Sequence, residues 1–384
     1  MEIGVVVHGP EIVDSGMAKK VIGILEESGN VDSVMAGTIG KTAVLDAHLE
    51  DVIDIRKNLK PSICIEEFFR TKDAVILLNH GKTTENGVLF ANIVISRIHS
   101  RTVKPLIHIE RPGMPDGRII PWNTDSLEFA KTLADKLELE ITDIPELVTP
   151  ISVEDHGHRV IRQVYGVHQG EKIMINGIIV GFARSEDIRI ISKDGFITDI
   201  EGARVKEHGL EKLHGYERRV PVDLRTCWVK SGPLRGNQFS VRNKDTAFKH
   251  TSDEDDHHPD ADGRIKVVII DHEAERSFEL VEGAQAAVTI GDDTTEIAGD
   301  ILYRLSIPII GITDGDIDGF SHMKHIYPGS TVIRLRPETD DVIGKEIREQ
   351  LFDGKSSVYL DSFDILRNKI FTIAKKYTLF RTDY

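Results

Sequence analysis

An alternation of short apolar runs and amphipathic segments limits the possible fold more than any other feature of this sequence. Between residues 1 and 145, apolar runs such as IGVVV and DAVILLN alternate with helix-like segments such as GMAKKVIGILEES and KTAVLDAHLEDVIDIRK. Strands that are apolar throughout, each followed by a helix, are typical of a parallel sheet covered on both faces. The pattern therefore predicts an N-terminal α/β domain at residues 1–148.

The alternation stops near residue 149 and returns near residue 264. Between these points lie short β-rich runs separated by Asn176-Gly177 and Asp194-Gly195, which are pairs typical of two-residue hairpin turns. We therefore predict a small, mostly antiparallel β domain at 149–230, an acidic linker at 231–263 and a second α/β domain at 264–384. The predicted fold class is α/β, with two parallel-sheet units flanking the β domain.

Composition restricts the partners that such a protein can have. The net charge is -15, and no basic patch interrupts it, so we expect neither a nucleic acid nor an anionic membrane as a partner. No apolar run reaches the roughly 18 residues of a membrane span. The two cysteines lie far apart, and the opening MEIGVVVHGP has no secretory pattern, so we expect a cytoplasmic protein.

Two turns have the glycine, lysine and threonine of a phosphate-binding loop without its full pattern. Each follows an apolar strand and precedes a helix, in VMAGTIGKT and LLNHGKTTENG. Turns at the carboxyl ends of parallel strands face the crevice where open α/β sheets bind ligands, and helix N-termini favour anions there. The predicted phosphate ligands are Gly40, Lys41, Thr42, Gly81, Lys82 and Thr83. We expect both lysines at one sheet edge and neither on the core face of its helix; ordinary helix capping is the alternative.

Aspartates occupy the corresponding turns of the C-terminal α/β domain. IGDDTTEIAG repeats the Thr-Thr-Glu of NHGKTTENG, and TDGDIDG follows the next strand. Carboxylates that converge at a sheet edge repel one another unless a cation neutralises them, and Mg²⁺ prefers oxygen ligands. The predicted ligands of this Mg²⁺ are Asp292, Asp293, Asp314, Asp316 and Asp318. Asp-Gly turns and aspartate helix caps would explain each acid separately.

These motifs together suggest a Mg²⁺-dependent enzyme or binder that acts on a nucleotide or another phosphorylated small molecule. The sequence assigns no catalytic residue, although His8 follows the first strand at the expected ligand edge. The first alternative is a non-catalytic ligand-binding or regulatory protein. The second is a Toprim-like nucleic-acid enzyme using Asp314, Asp316 and Glu273, against which the acidic charge argues. Homo-oligomerisation is left open.

Four motifs together resemble a protein family of methanogenic archaea that has no assigned function. These motifs are VHGPEIVDSG, NHGKTTENG, IERPG and GDDTTEIAGDIL followed by PIIGITDGDIDG. The resemblance covers most of the chain and implies an archaeal cytoplasmic protein. It implies no activity and no catalytic residues.

Overall fold

In the computed structural model the described residues are 1–99, 104–147, 153–215, 220–232, 263–315 and 325–384. They form two compact units, the first ending at residue 147 and the second beginning at residue 153. The second unit contains both the β-rich segment and the C-terminal α/β segment. Most of the predicted linker, and the predicted metal ligands Asp316 and Asp318, lie outside the described residues.

The first unit is built on a six-stranded sheet in the order β2-β1-β3-β4-β5-β6. Strands β1 to β4 are parallel, and β5 runs antiparallel to β4. Residues 3–7 of β1 are all buried, so helices cover both faces of the sheet, as the apolar strands predict. The strands are β1 Glu2–His8, β2 Asn30–Ala36, β3 Ala74–Asn79, β4 Leu106–Glu110, β5 Arg118–Pro121 and β6 Glu140–Ile141.

The helices of the first unit differ from the prediction at two places, of which the first is the short, unpredicted helix Glu11–Asp14. The single helix expected over KTAVLDAHLEDVIDIRK ends at Asp46, because the chain reverses through His48 at a φ of 52°. A separate helix then begins at Pro61, whose fixed φ suits a first helical position. The helices are α1 Glu11–Asp14, α2 Met17–Glu26, α3 Thr38–Asp46, α4 Pro61–Thr71, α5 Thr84–Ile95 and α6 Leu127–Leu137.

The β-rich segment forms two four-stranded antiparallel sheets, in the orders β13-β10-β9-β14 and β12-β11-β8-β7. Both sheets contribute to one buried apolar core. Asn176-Gly177 and Asp194-Gly195 have positive φ and connect adjacent strands, which confirms the predicted hairpins. The elements are β7 Val153–Asp155, β8 Arg159–Val164, β9 Lys172–Ile175, β10 Ile178–Ala183, β11 Ile188–Lys193, β12 Phe196–Glu201, β13 Ala203–Val205, α7 Glu207–His214 and β14 Val229–Ser231.

The C-terminal segment forms the second six-stranded sheet, in the order β19-β15-β16-β17-β18-β20. Its four central strands are parallel and follow one another in chain order, and antiparallel strands close both edges. The elements are β15 Ile265–Asp271, α8 Ser277–Leu280, β16 Ala286–Ile290, α9 Asp292–Arg304, β17 Ile309–Thr313, β18 Thr331–Leu335, α10 Asp340–Phe352, β19 Ser357–Leu360, α11 Phe363–Ala374 and β20 Thr378–Asp383.

The predicted α/β fold class is thus confirmed, with two largely parallel six-stranded sheets and smaller antiparallel sheets. The two six-stranded sheets are separate. Among the described residues, no helix combines the length and the apolar composition that a membrane span requires.

Candidate functional site

The first lysine motif, Gly40-Lys41-Thr42, lies inside a helix and not in the turn before it. Helix α3 begins at Thr38, after Gly37 has made the turn with a φ of 96°. A Cβ at Gly40 would approach the sulfur of Met35 to 2.2 Å, so this glycine serves helix–strand packing. Lys41 is only 1% exposed, which contradicts the prediction that it lies off the core face.

The second lysine motif, Gly81-Lys82-Thr83, does form the turn between β3 and α5. Thr83 caps the helix, and its hydroxyl accepts a hydrogen bond of 3.2 Å from the Asn86 amide. The Gly81 amide donates to Glu110, while Arg111 donates to the carbonyl oxygen of Lys82. These backbone groups serve the fold, so a phosphate at this turn would depend mainly on the exposed Lys82 side chain.

The turns after β2 and β3 lie at one edge of the first sheet, as predicted. His8, the last residue of β1, pairs in register with Ala36 at the end of β2 and Asn79 at the end of β3. The strand after β1 in the chain, β2, lies on one side of β1, and the next strand, β3, lies on its other side. A topological switch point therefore lies between β1 and β3.

A chain of buried hydrogen bonds starts at this switch point. His8 Nδ1 donates to Asn79 Oδ1 over 2.9 Å, and Asn79 Nδ2 donates to Glu110 Oε2 over 2.7 Å. The ring of His8 also stacks on Phe90 with 4.0 Å between centroids. These contacts hold His8 in one orientation.

Replacing each lysine by methionine distinguishes the two motifs. Lys82→Met is expected to change the free energy of unfolding by no more than about 0.5 kcal/mol, because the side chain is exposed. Lys41→Met is expected to lower the free energy of unfolding by more than about 1 kcal/mol. A buried charged group is paired, and the substitution leaves its partner without compensation. Chemical denaturation measures both. Equal effects would contradict the assignment of only Lys41 to the core.

Phosphate binding at Lys82 stays a prediction. Titration calorimetry of the wild type and of Lys82→Met with inorganic pyrophosphate tests it. If the ammonium makes a charge-assisted hydrogen bond, the binding free energy of the variant should be weaker by about 1.5–3 kcal/mol. An unchanged affinity would mean that phosphate binds elsewhere.

Three aspartates converge at the carboxyl edge of the second sheet. Asp292 begins α9 after β16, Asp314 follows β17, and Asp340 begins α10 after β18. One carboxylate oxygen from each lies within 4.8 Å of the other two. Asp314 and Asp340 are 1% and 0% exposed. We call these three residues the aspartate cluster; it contains two of the predicted metal ligands, Asp292 and Asp314.

Each aspartate of the cluster divides its two oxygens between the backbone and a common centre. One oxygen accepts a backbone amide: Asp292 Oδ1 from Gly315, Asp314 Oδ2 from Glu338, and Asp340 Oδ1 from Asp341. The other oxygens are those that lie near Lys212 Nζ. Because the backbone contacts orient each carboxylate, they also restrict the direction of its second oxygen.

Lys212 of α7 lies close to all three aspartates of the cluster. Its Nζ is 3.7 Å from Asp292 Oδ2, 3.6 Å from Asp314 Oδ1 and 3.4 Å from Asp340 Oδ2. The Lys212 side chain is only 6% exposed. Asp314 Oδ1 is buried and has no hydrogen-bond partner among the described residues. The Lys212 ammonium is thus shared by the three carboxylates of the cluster.

The surroundings of the cluster shift the pKa values of its two buried aspartates. Burial, followed by the neighbouring Asp340 carboxylate, raises the pKa of Asp314. Burial also raises the pKa of Asp340, although Lys212 opposes the increase. Groups that resist ionisation at a sheet edge are typical of sites where a cation or a ligand completes the charge balance.

A histidine adjoins the cluster from the end of β15. His272 Nδ1 lies 2.7 Å from Asp271 Oδ1, and its Nε2 lies 3.4 Å from Asp341 Oδ1. Burial lowers the pKa of His272, but the two aspartates outweigh burial and raise it overall. Gly291 is required here, since its φ is 99° and a Cβ would come within 2.9 Å of His272 Nε2.

A cavity of about 530 Å³ opens beside these residues within the second unit. Its charged lining residues are Lys212, Asp223, Asp271, His272 and Asp341. Its apolar lining residues include Ile178, Leu213, Val220, Pro221 and Val222. Lys212 therefore contacts the aspartate cluster and also lines the cavity.

Two acids that the sequence suggested lie outside the cluster. Asp293 is turned towards β10, where Oδ2 accepts the Ile179 amide at 3.4 Å, and burial raises its pKa. Glu273, the acid needed for a Toprim-like site, pairs with Arg276 at 2.7 Å.

The sequence prediction missed Asp340, Lys212 and His272. For Asp340 a signal existed, because Asp340-Asp341 opens the helix after a strand just as Asp292-Asp293 does. No local pattern marks Lys212, which lies 80 residues before Asp292 in the chain.

Comparison with known proteins agrees with the resemblance seen in the motifs. The profile of one family, described as uncharacterized proteins conserved in archaea, matches residues 5–355. An uncharacterized protein of the methanogen Methanocaldococcus jannaschii is 38% identical over 377 residues, which are 97% of each chain. No solved structure matches. The chain therefore belongs to DUF2117, a family of uncharacterized proteins conserved in archaea.

Proposed function

We propose that the second unit binds a divalent cation, Mg²⁺ in the first place, together with a nucleotide or another phosphorylated small molecule. The protein would then be a Mg²⁺-dependent enzyme or binder. The observation that carries this proposal is the convergence of three carboxylate oxygens from Asp292, Asp314 and Asp340.

The chemistry of the aspartate cluster supports a hard cation. Mg²⁺ is bound by oxygen ligands at about 2.0–2.1 Å and usually retains several waters, so three monodentate carboxylates suffice. Carboxylates that approach one another in a largely buried site repel, and a divalent ion between them would relieve that repulsion. Small shifts of the carboxylates would bring their oxygens to coordination distance.

The adjoining cavity supports a phosphorylated ligand. Its volume of about 530 Å³ falls within the range of small-molecule pockets, and its apolar wall suits an organic group. Lys212 lines the cavity and contacts the cluster, so a cation bound at the cluster would lie near a phosphate in the cavity. This combination of a metal ion and a positioned phosphate is what phosphoryl transfer requires.

A second candidate, a non-catalytic ligand-binding protein, draws support from Cys227. Cys227 lines the cavity, and its thiol is the side chain there that could act as a nucleophile in its ionised form. Burial raises the pKa of this thiol. A thiol with a raised pKa is a poor nucleophile near neutral pH. Tight ligand binding without turnover would favour this candidate.

Thermal melting with and without Mg²⁺ tests the cation site. The free energy of unfolding of the wild type is expected to rise by about 2.7 kcal/mol at a hundredfold excess of Mg²⁺ over its dissociation constant. Asp292→Asn replaces the partly exposed carboxylate of Asp292, one of the proposed ligands, by a neutral amide. The increase in the free energy of unfolding with Mg²⁺ is therefore expected to be clearly smaller in this variant. Asp361→Asn, at an exposed acid outside the cluster, is the matched control. Identical Mg²⁺ responses of wild type and Asp292→Asn would contradict the proposal.

A further inference from the structure

We propose that Lys212 and the cation exclude one another, so that cation binding displaces the Lys212 ammonium into the cavity, where it binds the phosphate of the ligand. This inference rests on the proposed function and adds an order to it: the cation binds first, and the phosphorylated ligand follows.

The first step concerns the position of the ammonium. Lys212 Nζ lies 3.4–3.7 Å from one carboxylate oxygen of each of the three aspartates. A cation in contact with the same oxygens would lie against the ammonium. Two positive charges in contact repel strongly in a buried site, so the two cannot share the centre.

The second step concerns where the side chain goes. Lys212 also lines the cavity, and its four-carbon stem is flexible, so the ammonium can leave the cluster without movement of α7. The buried Asp314 Oδ1, which accepts no hydrogen bond in the described part of the chain, then gains the cation as a ligand. After the exchange the carboxylates contact the cation, and the ammonium lies in the cavity.

The third step concerns the ligand. His272, the other basic residue on the cavity wall, is already placed between Asp271 and Asp341. The displaced ammonium is therefore the group suited to an incoming phosphate. Because the cavity also has an apolar lining, it fits a phosphate ester or anhydride whose organic part packs against Val220, Pro221 and other apolar side chains.

Amine acetylation of the wild-type protein measures the displacement directly. With N-hydroxysuccinimidyl acetate and peptide mass spectrometry, Lys212 is expected to react slowly in EDTA and at least about tenfold faster in saturating MgCl₂. Subsequent addition of inorganic phosphate is expected to slow the reaction again. Lys193 is exposed on β11 and is the internal control, with the same rate in all three conditions.

Titration calorimetry with MgCl₂ separates this inference from the proposed function. Lys212→Met is expected to bind Mg²⁺ at least about tenfold more tightly than wild type, because the competing ammonium is gone. If wild type binds Mg²⁺ but Lys212 acetylation does not respond to it, the displacement is wrong and the cation site stands. If neither protein binds Mg²⁺, the proposed function itself is wrong. The acetylation experiment needs no variant, so poor folding of Lys212→Met leaves the inference testable.

Discussion

Lys212→Met is expected to lower the free energy of unfolding by about 3–5 kcal/mol when no divalent cation is present. The substitution keeps most of the stem but removes the ammonium that lies within 3.7 Å of three aspartates. Breaking a buried ion pair by removing one partner leaves uncompensated charge in the interior, which is the most costly outcome for such a pair. Chemical denaturation in EDTA measures the loss.

Mg²⁺ is expected to restore much of the stability of this variant. A cation bound at the aspartate cluster replaces the missing positive charge and stabilises the folded state by mass action. The recovery in Lys212→Met should therefore exceed the gain that wild type shows at the same Mg²⁺ concentration. Lys193→Met, at an exposed lysine, serves as the control. A loss below about 1 kcal/mol would show that the ammonium is not the counterion of the cluster.

Glu110→Ala is expected to destabilise the first unit by about 3–5 kcal/mol. Glu110 is fully buried and accepts hydrogen bonds from Asn79 Nδ2, the Gly81 amide and His108 Nε2. Each buried donor left without a partner costs about 1–3 kcal/mol, partly recovered by water that enters the space. Glu128→Ala, at an exposed glutamate, is the matched control and should have little effect.

The contribution of Glu110 is also expected to depend on pH in a defined direction. Burial raises its pKa, but hydrogen bonds from His108 and Asn79 outweigh burial and lower it below the usual value. A carboxyl whose pKa is lower in the folded state stabilises the fold above its unfolded pKa, and this stabilisation is lost as the pH falls through the folded pKa. The difference between wild type and Glu110→Ala should thus be largest near neutral pH and shrink in acid. A difference that grows in acid would contradict this account.

The buried network around Glu110 also explains Gly87. A Cβ at this position would lie 2.0 Å from the carboxyl carbon of Glu110, so helix α5 can approach β4 only with glycine there. The same network orients Asn79 and, through it, His8 at the switch point of the first sheet. Stability and the geometry of a possible ligand edge therefore depend on the same few side chains.

Local patterns in the sequence determined the elements and the fold class. Apolar runs such as AVILLN and AAVTI predicted buried parallel strands, because a strand covered on both faces has no polar side. Asn-Gly and Asp-Gly pairs predicted hairpins, because these residues tolerate positive φ. Where a helix begins was harder to predict. GTIGKT contains two glycines, and only the backbone conformation shows that Gly37 makes the turn and Gly40 packs against Met35.

For the site, the sequence could place acids at strand ends, because parallel strands carry their following turns to one edge of a sheet. Asp292 and Asp314 were predicted for this reason, and they lie together. The sequence could not show which acids turn towards a common centre. Asp293 follows Asp292 directly in α9, yet it contacts the Ile179 amide instead, because successive residues of a helix point in different directions.

Only the tertiary structure brought Lys212 to the aspartate cluster. The lysine belongs to a helix of the β-rich segment, and nothing in its neighbourhood, EHGLEKLH, distinguishes it from an ordinary surface lysine. Its role arises from the packing of that segment against the second sheet. Periodicity and turn chemistry act over a few residues, whereas a buried charge balance depends on groups far apart in the chain that meet only when it folds.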